Sequence, residues 1–190
     1  MAQAKTFTAN ELEQVLRFSQ STKHAVRNRA LLLVTHWAGL RVGEVATLRV
    51  CDVCDSNMQV KSEIRLLPEY TKGKHARTVF VNDKLRAELQ NYASSLKVKD
   101  SNQAFFYTQK NPKRGFTPNS LTLFFKELYA ASGIAGASSH SGRRSFITNL
   151  ANKGIGVRVL ASLAGHRSIA VTQKYIDVND DMKRRAVELV

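Results

Sequence analysis

Lysine and arginine outnumber aspartate and glutamate by 29 to 15 in this chain of 190 residues, giving a formal charge of +14 and a pI near 10.1. A surplus of that size points to a polyanionic partner, with nucleic acid first among them. The longest apolar run, Ala30 to Val34, is too short to span a membrane, and the opening MAQAKTFTANELE has no apolar secretion core, so a cytoplasmic protein is expected.

The elements follow in order along one domain. Thr8 with Glu11 forms a capping box, and Leu12, Val15, Leu16 and Phe18 recur at helical spacing behind it. A second helix is predicted from about Asn28 to Ala38, ending near Gly39, and "RVGEVATLRV" opens a short third one with Val42, Val45, Ala46 and Leu48 facing inward. From about residue 57 to 82 the β-branched stretches "MQVKSEIRLL" and "ARTVFVN" read as a small antiparallel sheet, with Gly73 in its turn.

Cys51 and Cys54 lie just ahead of that sheet, on a strand or loop. No second cysteine pair or histidine pair completes a zinc site, and no thioredoxin-like context surrounds them, so they read as incidental thiols. Neither a metal nor a cofactor is expected.

Helices resume at "NDKLRAELQNYASSL" and, after the basic turn "KNPKRGFTP", at "TPNSLTLFFKELYAASG", with Thr117 as cap and Pro118 in the first position. The last third reads as helices throughout: "SGRRSFITNLANKG", "GVRVLASLAGH", "SIAVTQKYID" and "DDMKRRAVELV". Glycines 133, 136, 154, 156 and 165 mark their C-terminal stops. The final segment spaces Met182, Ala186 and Leu189 for one apolar face, which would dock on a neighbouring subunit or fold back on its own core. The fold class is mainly α with one small antiparallel sheet, an α+β arrangement.

The chemistry is cationic. No phosphate-binding glycine loop and no paired carboxylates of a two-metal nuclease are present, so a protein acting on phosphodiesters must neutralise the phosphate with its own cations. His140 and Arg143 sit three apart at a helix start, so both can point to one side. Arg143 can hold a phosphate through two parallel N–H bonds. Arg41 follows a helix end, Lys72 lies in the sheet turn, and His166 ends a helix whose successor is capped by Ser168. Tyr175 comes seven residues after Ser168, which places it about two turns into that successor. Nearby cations would favour its phenolate, and a histidine could take its proton.

Read together, "AGLRVGEVATLRVCDV", "TKGKHARTVFV", "HSGRR" and "AGHRSIAVTQKYI" resemble the tyrosine recombinase, or phage integrase, family from about Thr8 to the C-terminus. The resemblance implies that fold's catalytic domain and a site-specific DNA recombinase. It makes Arg41 and Arg143 ligands of the scissile phosphate, Glu44 a supporting residue and Tyr175 the nucleophile. Lys72 would protonate the 5′-oxygen leaving group, with Lys74 a nearby alternative. His140 would handle the proton of the tyrosine, and His166 completes the set. The product would be a 3′-phosphotyrosyl linkage that conserves the bond energy, so that rejoining needs neither ATP nor metal.

The resemblance further implies double-stranded DNA as partner, a homotetramer on DNA that is monomeric when free, accessory or directionality proteins, and a bacterial or phage-encoded, nucleoid-associated setting. Lys74, Arg77, Lys110, Lys113, Arg114, Arg144 and Arg167 are candidate phosphate contacts. Two departures stand out. Gly142 and Arg144 flank Arg143 where many members have leucine and histidine, and almost nothing precedes Thr8, where members carry an N-terminal helical domain. A single catalytic domain lacking that clamp is expected, either naturally minimal or excised. Two other functions fit the same features: type IB topoisomerase-like relaxation, and a DNA-binding regulator without catalysis.

Overall fold

A computed structural model describes residues 4–71, 75–108, 114–176, 180–188 and 190, apart from the side chains of Asp181 and Arg185. Its centre is α2 (Ala25–Trp37), in which Leu31, Leu32, Leu33 and Val34 are all fully buried. A helix apolar all round must be enclosed, and α1 (Ala9–Gln20), α3 (Val42–Thr47), α5 (Asp83–Ser94) and α7 (Ser141–Asn152) pack against it. The predicted capping box opens α1: Thr8 Oγ1 accepts the Glu11 amide at 3.2 Å, and the Glu11 carboxylate accepts the Thr8 amide at 3.0 Å.

The central helix starts at Ala25, a turn before the expected Asn28. That polar first turn is buried by distant chain: Arg27 donates to the Tyr107 carbonyl at 3.1 Å and lies 5.2 Å from the centre of the Phe116 ring. A run of charged residues thus becomes interior helix through partners some eighty positions away.

Strands β1 (Glu63–Leu66) and β2 (Arg77–Phe80) pair antiparallel, with Ile64 opposite Val79 and Leu66 opposite Arg77. Ile64, Leu66 and Val79 face the core while Phe80 faces out. Gly73, expected in the turn, lies with Lys72 and Lys74 outside the described residues. Ahead of the sheet, α4 (Val50–Val53) corrects the reading of Cys51, which is helical; Cys54 follows directly and bridges Val60. The turn forms because the Asp52 carboxylate accepts the Arg49 amide at 2.8 Å and Val50 and Val53 are buried. Both thiols are free, and burial pushes that of Cys54 up to about 11.

Tyr92 of α5 stacks on Phe106 and donates to the Phe105 carbonyl at 3.0 Å, which pins the segment leading to α6 (Pro118–Ala131). As expected, Thr117 caps α6, accepting the Ser120 amide at 3.1 Å. The last third forms α7, α8 (Val157–Ala164), α9 (Ile169–Gln173) and α10 (Asp180–Val187). Gly156 precedes α8 as its N-cap and is not a stop. On α10, Met182 is half-buried and Ala186 exposed, while Leu189 lies outside the described residues. Among the described residues, no helix is long and apolar enough to cross a membrane.

Gly142 has a steric explanation. It lies in the first turn of α7 against α2, where an added Cβ would collide with Thr35 Oγ1. A leucine there would push the two helices apart, so the departure from the family pattern follows from close packing.

Candidate active site

Three helix ends and one strand converge on a small cationic cage. Arg41 is the N-cap of α3, and the Glu44 carboxylate accepts its amide at 2.8 Å and its guanidinium at 2.8 Å. Arg77, from β2, donates at 2.6 Å to the Glu44 oxygen that also accepts the Arg41 amide, and at 2.9 Å to the Leu163 carbonyl. Glu44 is 1% exposed. Burial alone would raise its pKa, but the hydrogen bonds and charges of Arg77 and Arg41 outweigh that and hold it below the usual carboxylate range.

Arg143 enters from the first turn of α7 and is 4% exposed. It donates to the Gly39 carbonyl at 2.6 Å and to the Ala164 carbonyl, and its Nη2 lies 3.0 Å from His166 Nε2. Gly39 can present its carbonyl because it holds φ at +64° and packs directly under the Phe146 ring, where a Cβ would not fit. Burial, then the repulsion of Arg41, lowers the Arg143 pKa to about 9, against the pull of Glu44.

Gly165 ends α8 at φ +62°, and its carbonyl accepts from Arg41 at 3.3 Å. His166 comes next. Its Nδ1 lies 2.9 Å from Thr172 Oγ1, and burial first, then Arg143, Arg41 and Arg77, lowers its pKa to about 4. The ring is therefore a neutral imidazole near pH 7.

Tyr175 stacks on His166, with ring centres 5.7 Å apart and planes 24° apart, and the Arg144 guanidinium lies 5.2 Å from the tyrosine ring centre. The tyrosine is not two turns into a helix. The helical stretch α9 stops at Gln173, and Tyr175 occupies the turn beyond it, its amide donating to the Thr172 carbonyl at 2.9 Å. Ile169, Val171 and Thr172 are β-branched and favour helix weakly, and Thr172 has its hydroxyl engaged elsewhere.

The structure thus brings Arg41, Arg143, His166 and Tyr175 into one connected set, with Glu44 beneath. Lys72, Lys74, Lys110 and Lys113 lie outside the described residues. His140 is exposed at the N-cap of α7, while Arg143 turns inward from the same helix. Arg77, expected as a phosphate contact, is a brace for Glu44. Arg144 packs on Tyr175 and donates to Thr6 Oγ1 at 3.1 Å. Arg167 is exposed and, with Arg41, Arg77, His166, Ser168 and Phe80, lines a cleft of about 720 Å³. Arg114 is exposed and does not line it.

Thr172 and the carbonyls of Gly39 and Ala164 carry no separate signal in the sequence. A buried threonine six positions after a histidine is the single hint, legible only once the α8–α9 corner is known. Three arginines around one carboxylate leave an excess of positive charge, the electrostatic form of an anion site. No group of three His, Cys, Asp or Glu able to hold a metal occurs among the described residues.

The sequence profile of the phage integrase family matches residues 5–182. The tyrosine recombinase XerA of Pyrococcus furiosus is 28% identical over 184 residues, covering 97% of this chain and 61% of the relative. The tyrosine recombinase XerD of Oceanobacillus iheyensis is 29% identical over 175 residues, covering 89% and 56%. The chain thus spans about three fifths of the length of the curated relatives it matches. In structure it is similar to a XerA recombinase (TM-score 0.78, 23% identity, 100% of this chain and 66% of that one). It is also similar to the Tn1549 transposon integrase in complex with a circular intermediate DNA (TM-score 0.76, 19% identity, 100% and 67%).

Proposed function

Because the chain belongs to the phage integrase family of tyrosine recombinases, we propose that it carries the catalytic centre of a site-specific DNA strand transferase. Tyr175 Oη attacks a backbone phosphorus in line with the 5′-oxygen; the new bond is a 3′-phosphotyrosyl ester, and the broken bond releases a 5′-hydroxyl. Reversal by another 5′-hydroxyl rejoins the strand with no net loss of phosphodiester energy, so neither ATP nor metal is needed. Arg41 and Arg143 take the non-bridging oxygens, where negative charge builds as the phosphorus becomes five-coordinate. The proton of Tyr175 passes to His140, and Lys72 or Lys74 supplies one to the leaving oxygen.

The observation that carries this reading is the connected set Arg41–Arg143–His166–Tyr175, in which a tyrosine ring stacks on a histidine bonded to a buried arginine. The cations are anchored to main-chain carbonyls before any DNA arrives, so little reorganisation is left for the moment of reaction. Double-stranded DNA at specific sites is the substrate, and a tetramer bridging two duplexes is the working assembly, supplemented by accessory proteins. The Tn1549 integrase complex supports DNA as the partner.

Incubating the chain with a library of nicked duplexes of random sequence tests this. Covalent protein–DNA adducts that survive denaturation are expected, with recurring sequences among the trapped DNA, and Tyr175→Phe should abolish them while leaving thermal unfolding unchanged. Absence of any adduct would sink the proposal. Relaxation of plasmid DNA without recombinant products would instead favour topoisomerase-like action.

A further inference from the structure

Thr172 stands where the histidine and the tyrosine meet. It is fully buried in α9, its hydroxyl lies 2.9 Å from His166 Nδ1, and its carbonyl accepts the amide of Tyr175 at 2.9 Å. On the opposite side of the imidazole, Nε2 lies 3.0 Å from Arg143 Nη2. A guanidinium has donors only, so Nε2 must be the acceptor of that contact. A neutral imidazole that accepts at Nε2 carries its proton at Nδ1, and that proton points at Thr172 Oγ1.

We propose that Thr172 is a positioning residue for strand transfer: its hydroxyl accepts the Nδ1–H that the Arg143 contact dictates and so fixes the His166 ring, and its carbonyl holds the turn that presents Tyr175. One side chain and one carbonyl of the same residue then set the two rings against each other, 24° from parallel. Without Oγ1, the Nδ1–H would be left buried with no acceptor, an unfavourable state. The other tautomer would point Nε2–H at an Arg143 N–H, donor against donor. Either way, the link from arginine through histidine to tyrosine loosens. The catalytic meaning rests on the proposed strand transfer; the tautomer rests on geometry alone.

The test uses the full chain with ¹⁵N-labelled histidine and reads the imidazole nitrogens of His166 by long-range ¹H–¹⁵N NMR. The parent should show a bare Nε2 and a protonated Nδ1 whose proton is shifted downfield by its hydrogen bond to Thr172 Oγ1. Thr172→Val, close in volume but lacking the hydroxyl, should lose that signature, and Thr172→Ser should keep it. Thr172→Ala serves if the valine variant does not fold.

Adduct formation, measured on the duplexes recovered from the random library, should fall about tenfold in Thr172→Val, the effect of one lost hydrogen bond, and recover in Thr172→Ser. A valine variant with the parental imidazole signature overturns the proposal whatever its adduct rate. A changed signature with an unchanged rate overturns the positioning role. A parent that forms no adduct defeats the strand-transfer reading, while the imidazole spectrum still decides the tautomer.

Discussion

Arg143 and Tyr175 face the same histidine but are held by different means. Arg143 is buried and fastened to the carbonyls of Gly39 and Ala164, which lie at the C-terminal ends of α2 and α8. Tyr175 is half-buried in a turn past the end of α9; Thr148 Oγ1 donates to its carbonyl at 3.2 Å, its amide reaches the Thr172 carbonyl, and its ring meets His166 and Arg144. The cation side is built into the core, and the tyrosine side is attached to it by a few local contacts. A change on the cation side should therefore cost stability together with any strand-transfer rate, whereas a change on the tyrosine side should cost rate with little loss of stability.

Glu44→Gln should show the largest effect. Removing the one carboxylate between Arg41 and Arg77 leaves buried positive charge uncompensated, and unfolding free energy should drop by about 3–5 kcal/mol. Denaturant unfolding measures it, and a drop under about 1 kcal/mol, the range of exposed ion pairs, would show that the cage is not part of the core.

Acid should weaken the same side next. His36 is 5% exposed on α2, its Nδ1 has no hydrogen-bond partner, and burial lowers its pKa to about 4. The unfolded chain takes up that proton near the ordinary value of about 6.5, so the stability from this group is present above that pH and is lost as pH falls toward 4. The loss should reach about 3 kcal/mol. His36→Met should flatten that part of the pH–stability curve. An unaltered curve would mean that His36 stays uncharged for some other reason, or is solvated.

Gly142→Ala should cost about 1–3 kcal/mol, because the new methyl group meets Thr35 and forces α7 away from α2. A stabilised alanine variant, as helix propensity alone would give, would show that the α2–α7 seam has slack. On the tyrosine side, Thr148→Val removes one partly exposed hydrogen bond and should cost under about 1 kcal/mol. A thermal shift larger than that of Gly142→Ala would reverse the comparison between the two sides.

Much of the local structure was legible from residue order. Thr8, Thr117 and Ser168 cap the helices expected of them, since a cap needs only a side-chain oxygen and an amide two or three residues on. The alternation in "EIRL" and "RTVF" located the two strands. The short α4 was not legible, because four residues carry no full period, and the start of α2 was hidden by a charged turn whose partners lie far along the chain. Arg77 looked like one more surface cation; its commitment to Glu44, thirty-three positions earlier, depends on how β2 lies beside α3.

The sequence by itself determined the helix caps, the hairpin and the excess of positive charge, because each rests on neighbours within a few positions or on composition. Tertiary structure alone decided which arginine braces and which is caged, what meets each ring nitrogen of His166, and the place of Tyr175 beyond its helix. Those outcomes depend on burial and on contacts between distant segments. A guanidinium or an imidazole takes its role from the acceptors that folding brings to it.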